Sequence, residues 1–477
     1  MRGRAAASAW WRAMRVLALA GACAWPDGAR AQALGFRQVY DMAAAADPTW
    51  LAAQARERAD SEERSLGRSG LLPNLSYRYT RARNWSQARQ QTVLGTSTQD
   101  YRYSSYASGF TLSQPLFDAA AFAQYREGQA RADAAGLTLE RAHQALAVRV
   151  LQAYTDVLYA DDALALARAQ ERALHEDARR AARFVAGGEG TRTDQVEVEA
   201  RARIVQAQTI EAQDLARDAR NALRAIAGPA MGGAPLAPLH AAGLDVLRDD
   251  ARDLAAWRAL ALTRNPELAA QRQLVEASRQ RYRAARAGHY PTVRLYARQQ
   301  LTDSNAENQI GQRYDTSTVG IELSIPLYSG GHTSAASAQA LAQQEEAAHE
   351  LQASTWAMLD DLERQYYTVS SSRRRIAAYR QAAEAAAERV HATRRSVEGG
   401  ERTSLDVLDA QRQQYESLRD LARARYDYLL AWLTLRWQAG VLSQDDVVRV
   451  GTLFADAPPA RSLRDPAGRH QNIHGQK

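Results

Sequence analysis

The sequence predicts a mainly α-helical protein with membrane β-strands, built from two similar halves. Three observations indicate this fold class. Motifs recur after more than 200 residues, two long windows lack proline, and four segments alternate apolar and polar side chains. A solenoid unit repeats after roughly 20 to 50 residues, so the longer period indicates a duplicated half-molecule.

The duplication is clearest at prolines and glycines. The Asp-Pro pair at 47–48 recurs as the Asn-Pro pair at 265–266. The Gly-Gly pair at 187–188 recurs at 399–400, and each pair is followed by a glutamate. Two similar walls around a pseudo-twofold axis favour a barrel or channel over a catalytic cleft.

Residues 1–31 have the layout of a secretory signal peptide, with a basic start, a short apolar stretch and a small-x-small cleavage site at Ala31. The only cysteine, Cys23, lies in this leader. It is either an ordinary leader cysteine or a lipidation site. Cleavage lowers the net charge from +7 to about +3, which gives no indication of a nucleic-acid partner. No later segment has eighteen consecutive apolar residues, so export leads to the periplasm or the outer membrane.

We divide the remaining chain into five parts. Each repeat is expected to contain a short helix, two strands and a long helical hairpin, and each is followed by a shorter mixed segment. The polar C-terminal tail is expected to be disordered. In order, the parts are the first repeat 32–227, a linker 228–264, the second repeat 265–439, a segment 440–455 and the tail 456–477.

The proline-free windows predict two helical hairpins, each closed by a glycine turn. They are rich in Ala, Leu, Arg, Gln and Glu, which favour helices. A helix as long as the one expected at 121–186 extends about 100 Å. Apolar residues recur every seven positions from Leu362 to Val397, which indicates left-handed supercoiling against a neighbour. The four helices are expected at 121–186, 193–227, 334–398 and 404–439.

Four segments of period-two alternation predict strands with one apolar and one polar face. They lie near 75–80, 106–113, 292–297 and 319–325, with polar connections at 86–102 and 302–314. This pattern is typical of outer-membrane barrels, and the alternative is a pair of soluble hairpins that cover a core. A transmembrane barrel needs about eight strands, so four strands must pair with other copies. A trimer would supply twelve.

The second glycine turn carries the most specific motif, Gly-Gly-Glu-Arg-Thr-Ser-Leu-Asp-Val-Leu-Asp-Ala-Gln at 399–411. Ala-Arg-Tyr-Asp-Tyr at 424–428 and Pro-Leu-Tyr-Ser-Gly-Gly at 326–331 accompany it. Together they resemble the signature of the TolC family of outer-membrane ducts. The resemblance implies a homotrimer in which a twelve-stranded outer-membrane β-barrel continues into a long periplasmic coiled-coil barrel of α-helices.

The resemblance further implies a passive duct of the type I secretion branch. Its implied partners are an inner-membrane ABC transporter, a periplasmic adaptor (membrane fusion) protein, outer-membrane lipid and a protein substrate, expected to be a toxin of the adenylate cyclase-haemolysin kind. Drug or metal efflux with a proton-driven pump is the alternative in the same fold. A soluble periplasmic coiled-coil adaptor is a third hypothesis, but it leaves the four strands unexplained. We expect no enzymatic activity, cofactor or metal.

Asp406 and Asp409 lie three positions apart at the start of a predicted helix, which places both carboxylates on one face. The positive end of the helix dipole stabilises them as anions. Three copies would form two stacked acidic rings, a device of cation-selective pores. The resemblance places these residues at the periplasmic constriction. The ordinary alternative is the enrichment of aspartate in first helical turns.

Asp194 and Arg402 match family positions whose polar links hold the periplasmic entrance closed. The alternative is an exposed turn pair worth under about 1 kcal/mol. Val397 stands where the best-known family member has an aromatic hydrogen-bonding residue, so one link is expected to be absent or relocated. The hairpin tips are expected to dock the adaptor through Gly187, Gly188, Gly190, Gly399 and Gly400. The paired glycines 187–188 and 399–400 allow positive φ at a helix end.

Overall fold

The computed structural model describes residues 33–93, 95–248, 252–303 and 311–454. The predicted signal peptide, Cys23 and the predicted disordered tail lie outside these residues. Among the described helices, none has a stretch long and apolar enough to cross a bilayer.

The two halves repeat one order of elements. The first half contains α1 (Phe36–Ala46), α2 (Pro48–Ser61), α3 (Glu63–Ser69), β1 (Asn74–Thr92), β2 (Gly95–Phe117), α4 (Ala119–Ala186) and α5 (Arg192–Ala227). Two 3-10 helices, Pro229–Met231 and Ala241–Arg248, lead to the second half. That half contains α6 (Leu254–Arg264), α7 (Pro266–Arg286), a 3-10 helix Ala287–His289, β3 (Thr292–Asp303), β4 (Arg313–Ser324), α8 (His332–Glu398), α9 (Ser404–Gln438) and α10 (Gln444–Thr452).

The duplicated proline motif ends one short helix and begins the next. Asp47 accepts a hydrogen bond from the Thr49 amide at 3.0 Å, and Asn265 accepts one from the Glu267 amide at 2.8 Å. The proline that follows each cap occupies the first helical position, where no N–H donor is needed. The same local chemistry therefore starts α2 and α7.

The long helices pack through the seven-residue repeat. In α8, Leu362 of this repeat is fully buried and Val390 is buried further along the helix. In α4, Val150 and Val157 lie seven residues apart and are both fully buried. Packing at this spacing keeps one face of a helix against its neighbours over many turns. The four long helices begin and end within two residues of their predicted bounds, and a glycine turn joins the two helices of each hairpin.

The four strands form one antiparallel sheet in the order β1-β2-β3-β4. The predicted polar connection at 86–102 is wrong, because Ser86 pairs with Tyr101 and Thr92 with Gly95 in a continuous ribbon. Polar side chains do not end a strand when each backbone group finds a partner across the ladder. The predicted connection at 302–314 is shorter than expected, since Thr302 pairs with Tyr314; residues 304–310 lie outside the described part.

One face of the sheet is apolar and exposed. Tyr77 lies opposite Phe110 with ring centroids 4.9 Å apart, and Leu295 lies opposite Ile321. Val319, on the same face, is 76% exposed in the single chain. A soluble protein rarely leaves so continuous an apolar patch in water. The face is therefore suited to contact lipid.

The main core lies between the sheet and the hairpin tips, where both halves meet. Tyr154 of α4 packs against Phe36 and Phe454, at ring-centroid distances of 5.9 and 4.9 Å. Arg141 of α4 donates to the Gln438 side chain at 3.0 Å and to Glu267 at 3.1 Å. These contacts hold α4 against α7 and α9, so both long hairpins extend from a common packed base.

Candidate functional site: the hairpin tips

The two hairpin tips share one hydrogen-bond pattern. The amides of Gly188 and Gly400 donate to the carbonyls of Val185 and Val397, at 3.1 and 3.0 Å. Both glycines have positive φ, at 79° and 76°, which a residue with a side chain adopts only with strain. The glycines before them, Gly187 and Gly399, remain in the right-handed region, which differs from the expectation that all four use positive φ.

The third glycine of the first tip, Gly190, lies close to the end of α4. A Cβ at this position would lie 3.1 Å from the Cβ of Phe184. When Gly187 is aligned with Gly399, the position equivalent to Gly190 in the second tip is Arg402. The two tips thus have the same backbone conformation but differ in charge.

Asp406 closes the first turn of α9. Its carboxylate accepts hydrogen bonds from the Thr403 amide at 3.0 Å and from the Thr403 hydroxyl at 2.9 Å. These two bonds, with the nearby Arg402 and Arg389 charges, hold the pKa of Asp406 below its ordinary value. The residue is therefore an anion at neutral pH.

Asp409 forms an ion pair with the first hairpin. Arg201 of α5 donates to Asp409 at 2.8 Å through Nη1 and to Glu197 at 2.8 Å through Nη2. Glu197 and Asp409 are equivalent in the alignment of the two tips, so one guanidinium joins matching acids of the two halves. Arg201 was not among the residues predicted for this site. The sequence feature that distinguishes it is a charge present in one half only, since its counterpart in the second half is the uncharged Gln413.

A small apolar cluster lies beneath this ion pair. Leu408 of α9 packs with Val198 and Val205 of α5 and with Leu174 of α4. The cluster brings the start of α9 against the first hairpin and so sets the distance between Arg201 and Asp409. The predicted acidic pair thereby occupies two environments: Asp406 caps its own helix and Asp409 is tied to the other hairpin.

The other predicted gate residues do not meet within one chain. Among the described residues, no hydrogen bond or ion pair joins Asp194 to Arg402. The Asp194 amide instead donates to the Thr191 hydroxyl at 3.1 Å. Val397 lies in the last turn of α8, where its carbonyl helps to form the glycine turn.

The family model for outer membrane efflux proteins matches residues 39–229 and 257–441, one segment in each half. The chain belongs to this family. It is therefore an outer-membrane protein with internal duplication, and the predicted fold class and location are confirmed.

Two curated relatives match over most of their length. The chain is 40% identical over 435 residues to the alkaline protease secretion protein AprF of Pseudomonas aeruginosa, covering 91% of this chain and 90% of the relative. It is 38% identical over 439 residues to the proteases secretion protein PrtF of Dickeya chrysanthemi, covering 91% and 94%. A crystal structure of a Pseudomonas aeruginosa membrane protein has the same fold, with a TM-score of 0.74, 20% identity and coverage of 85% and 92%.

Proposed function

We propose that three copies of this chain form the outer-membrane duct of a type I secretion system and carry a protein substrate without acting on it chemically. An inner-membrane ABC transporter and a periplasmic adaptor supply the substrate, and the adaptor docks on the hairpin tips. The observation that carries this proposal is the four-stranded sheet, which has an exposed apolar face and too few strands to close alone.

The relatives support secretion over drug or metal efflux. AprF and PrtF are both named for the secretion of proteases, and each matches nine-tenths of the chain. They favour a protease as the cargo, in place of the toxin expected from the sequence. The test is to express the chain in Pseudomonas aeruginosa cells that lack AprF. Restored secretion of the alkaline protease supports the proposal; restored drug resistance without protease secretion contradicts it.

The assembly is tested separately, by membrane fractionation and by light scattering of the mature protein in detergent. A detergent-dependent trimer from the outer membrane is the expected result. A monomer that stays in solution without detergent would overturn the membrane sheet and the duct together.

Within the duct, we place the periplasmic constriction at Asp406 and Asp409. The carboxylates at this end of α9 favour cations, because an acidic ring raises the local cation concentration in a pore. Replacement of both by alanine is expected to lower cation selectivity in planar bilayers. Asp133→Ala is the control, since Asp133 pairs with Arg64 at 2.7 Å near the opposite end of α4. Unchanged selectivity in the double variant would rule out the acidic constriction.

A further inference from the structure

The strands of the sheet differ in length, and only β1 and β2 continue past the others. Tyr106 of β2 lies opposite Asp303, the last residue of β3. The ladder between β1 and β2 goes on without a shift in register as far as Thr92 and Gly95. Residues 81–106 therefore form a two-stranded ribbon at the end of the sheet away from the helices. Because the long helices of this family extend into the periplasm, the ribbon lies on the outer side of the membrane.

All the charged residues of the ribbon lie on one face. Side chains alternate between the two faces of a strand, and directly opposed residues share a face. Tyr77 and Phe110 mark the apolar face of the sheet, which every second residue of β1 and β2 continues. The one ribbon residue outside the described part, Leu94, is uncharged. The charged residues that share the apolar face are Arg81, Arg83, Arg89, Asp100 and Arg102, and the opposite face of the ribbon has no charged residue.

The four arginines of this face are available to a partner. Each is exposed, and within the described chain none of them forms an ion pair or a side-chain hydrogen bond. Asp100 accepts a hydrogen bond from the opposite Gln87 at 2.9 Å. Further acids belong to the shorter strands and their connection: Asp303, Asp315 and, outside the described part, one glutamate in residues 304–310. The ribbon itself has four arginines against one aspartate.

Two of the arginines adjoin an exposed tryptophan. Trp85 is 68% exposed on this face and lies directly opposite Arg102. Arg83 is two residues from Trp85 along β1 and is diagonal to Arg102, a position in which side chains lie about 7 Å apart. Arg81 is two residues nearer the apolar part of the sheet. Guanidinium groups at this spacing can hold one phosphate from two sides, each through two N–H donors.

The arginines begin where the apolar face ends. Arg83 lies four residues past Tyr79 of the apolar face, which is about 13 Å along the strand. Since strands of outer-membrane barrels are tilted by about 40°, the rise along the membrane normal is about 10 Å. This distance places the guanidinium groups at the depth of lipid headgroups, where tryptophan is also enriched. A two-stranded hairpin is only marginally stable alone in water, so contact with the headgroup layer would also stabilise the ribbon.

We propose that the ribbon binds the headgroup of a phosphorylated glycolipid of the outer leaflet. Arg83 and Arg102 hold the phosphate, Trp85 packs against the sugar, and the acyl chains lie along the apolar face of the sheet. A lipid fits this surface better than a soluble anion does, because the basic and apolar regions adjoin on one face. The proposal rests on the outer-membrane location of the chain and does not depend on the cargo of the duct.

The test uses the full mature protein, washed free of native lipid in dodecyl maltoside, and measures lipid binding by native mass spectrometry. The probe is lipid A with two phosphates. Dephosphorylated lipid A keeps the sugar and acyl chains without the charge, and inorganic phosphate keeps the charge without the lipid. We expect dephosphorylated lipid A to bind at least about tenfold more weakly, because it forms no bond to the arginines. Inorganic phosphate at the concentration of the lipid should not displace lipid A, because it makes no contact with the apolar face.

The double variant Arg83→Gln with Arg102→Gln should weaken the binding of lipid A about tenfold or more. The matched control is Arg78→Gln with Arg298→Gln, which removes two exposed arginines from the opposite face of the sheet. If the double variant does not assemble, Arg102→Gln alone should weaken binding about fivefold.

Four results would each overturn the proposal. They are equal binding of dephosphorylated lipid A, displacement of lipid A by inorganic phosphate, an equal loss of binding in the control variant, and absence of lipid A binding to the wild-type protein. Secretion of protease by cells that carry the ribbon variant measures the duct separately, so failure of the lipid site is distinguishable from failure of the proposed function.

Discussion

Arg201 is a single side chain near the tips that lowers the net negative charge around the predicted acidic pair. Its guanidinium lies 2.8 Å from Asp409 and links α5 to α9. Both partners are about one-third to one-half exposed, so the link itself contributes less than about 1 kcal/mol to stability. Its larger effect is on charge, because it neutralises part of the Asp409 ring in the proposed trimer.

Arg201→Gln is therefore expected to raise the cation selectivity of the channel while changing the melting temperature little. The change removes three positive charges from a trimer and releases the Asp409 carboxylates. Reversal potentials across a KCl gradient in planar bilayers measure the effect. Arg203→Gln is the control, since Arg203 contacts the neutral Gln206 nearby, at 3.2 Å. A selectivity equal to that of the control would mean that Asp409 does not face the ion path.

Asp406 makes the stability of the second tip depend on pH. Its pKa is lowered in the folded chain, chiefly by the hydrogen bonds from Thr403. The stabilisation is therefore present above the unfolded value, near 4, and is lost as the pH falls through the lowered folded value. Amide hydrogen exchange of residues 399–411, corrected for intrinsic rates, should increase below about pH 4. The first tip is the internal reference, and equal acid sensitivity of the two tips would contradict the assignment.

At the level of elements, prolines and glycines allowed most of the fold to be predicted. Each marks a position where only a few backbone conformations are possible, so the helix ends at Gly187 and Gly399 agree with the sequence. The strands β1 and β2 were predicted too short, because their polar residues look like a loop when the partner strand is not considered. The Arg201–Asp409 pair was not predicted, since the two residues are far apart in the chain and meet only through helix packing, which the charge difference between Arg201 and Gln413 does not reveal.

Gly440 lies at the junction between α9 and α7, and its replacement tests whether this junction requires a glycine. It has φ of +69°, and a Cβ there would lie 2.4 Å from the Cα of Asn265. Gly440→Ala is expected to destabilise the fold by about 2 kcal/mol or more, through backbone strain and a clash at the cap of α7. Gly136→Ala in α4 is the matched control, because a Cβ there meets nothing within 4 Å. The control should stabilise the helix by up to about 1 kcal/mol, and thermal unfolding of both variants measures the contrast.

At the scale of the whole molecule, the sheet leaves two edges open. Within the described residues, β1 and β4 each pair with one neighbour, so the outer edge of each presents unpaired backbone groups. Such groups cannot remain unpaired against lipid, which requires a partner strand from another chain. A closed ring of three chains pairs β4 of one copy with β1 of the next and leaves no edge.

Disulfide trapping tests this closure, in a background where Cys23 is replaced by serine. Tyr79 of β1 and Val319 of β4 both belong to the apolar face of the sheet. Tyr79→Cys is combined in turn with Ser317→Cys, Val319→Cys and Ile321→Cys, which lie on the same face of β4. A disulfide needs Cα atoms within about 7 Å, so only the partner in register should cross-link. The expected product is a covalent trimer after denaturation.

Thr318→Cys is the control, because a shift of one residue points the side chain to the opposite face. Cross-linking that stops at dimers, or that is equal at Thr318, would contradict a closed three-chain barrel.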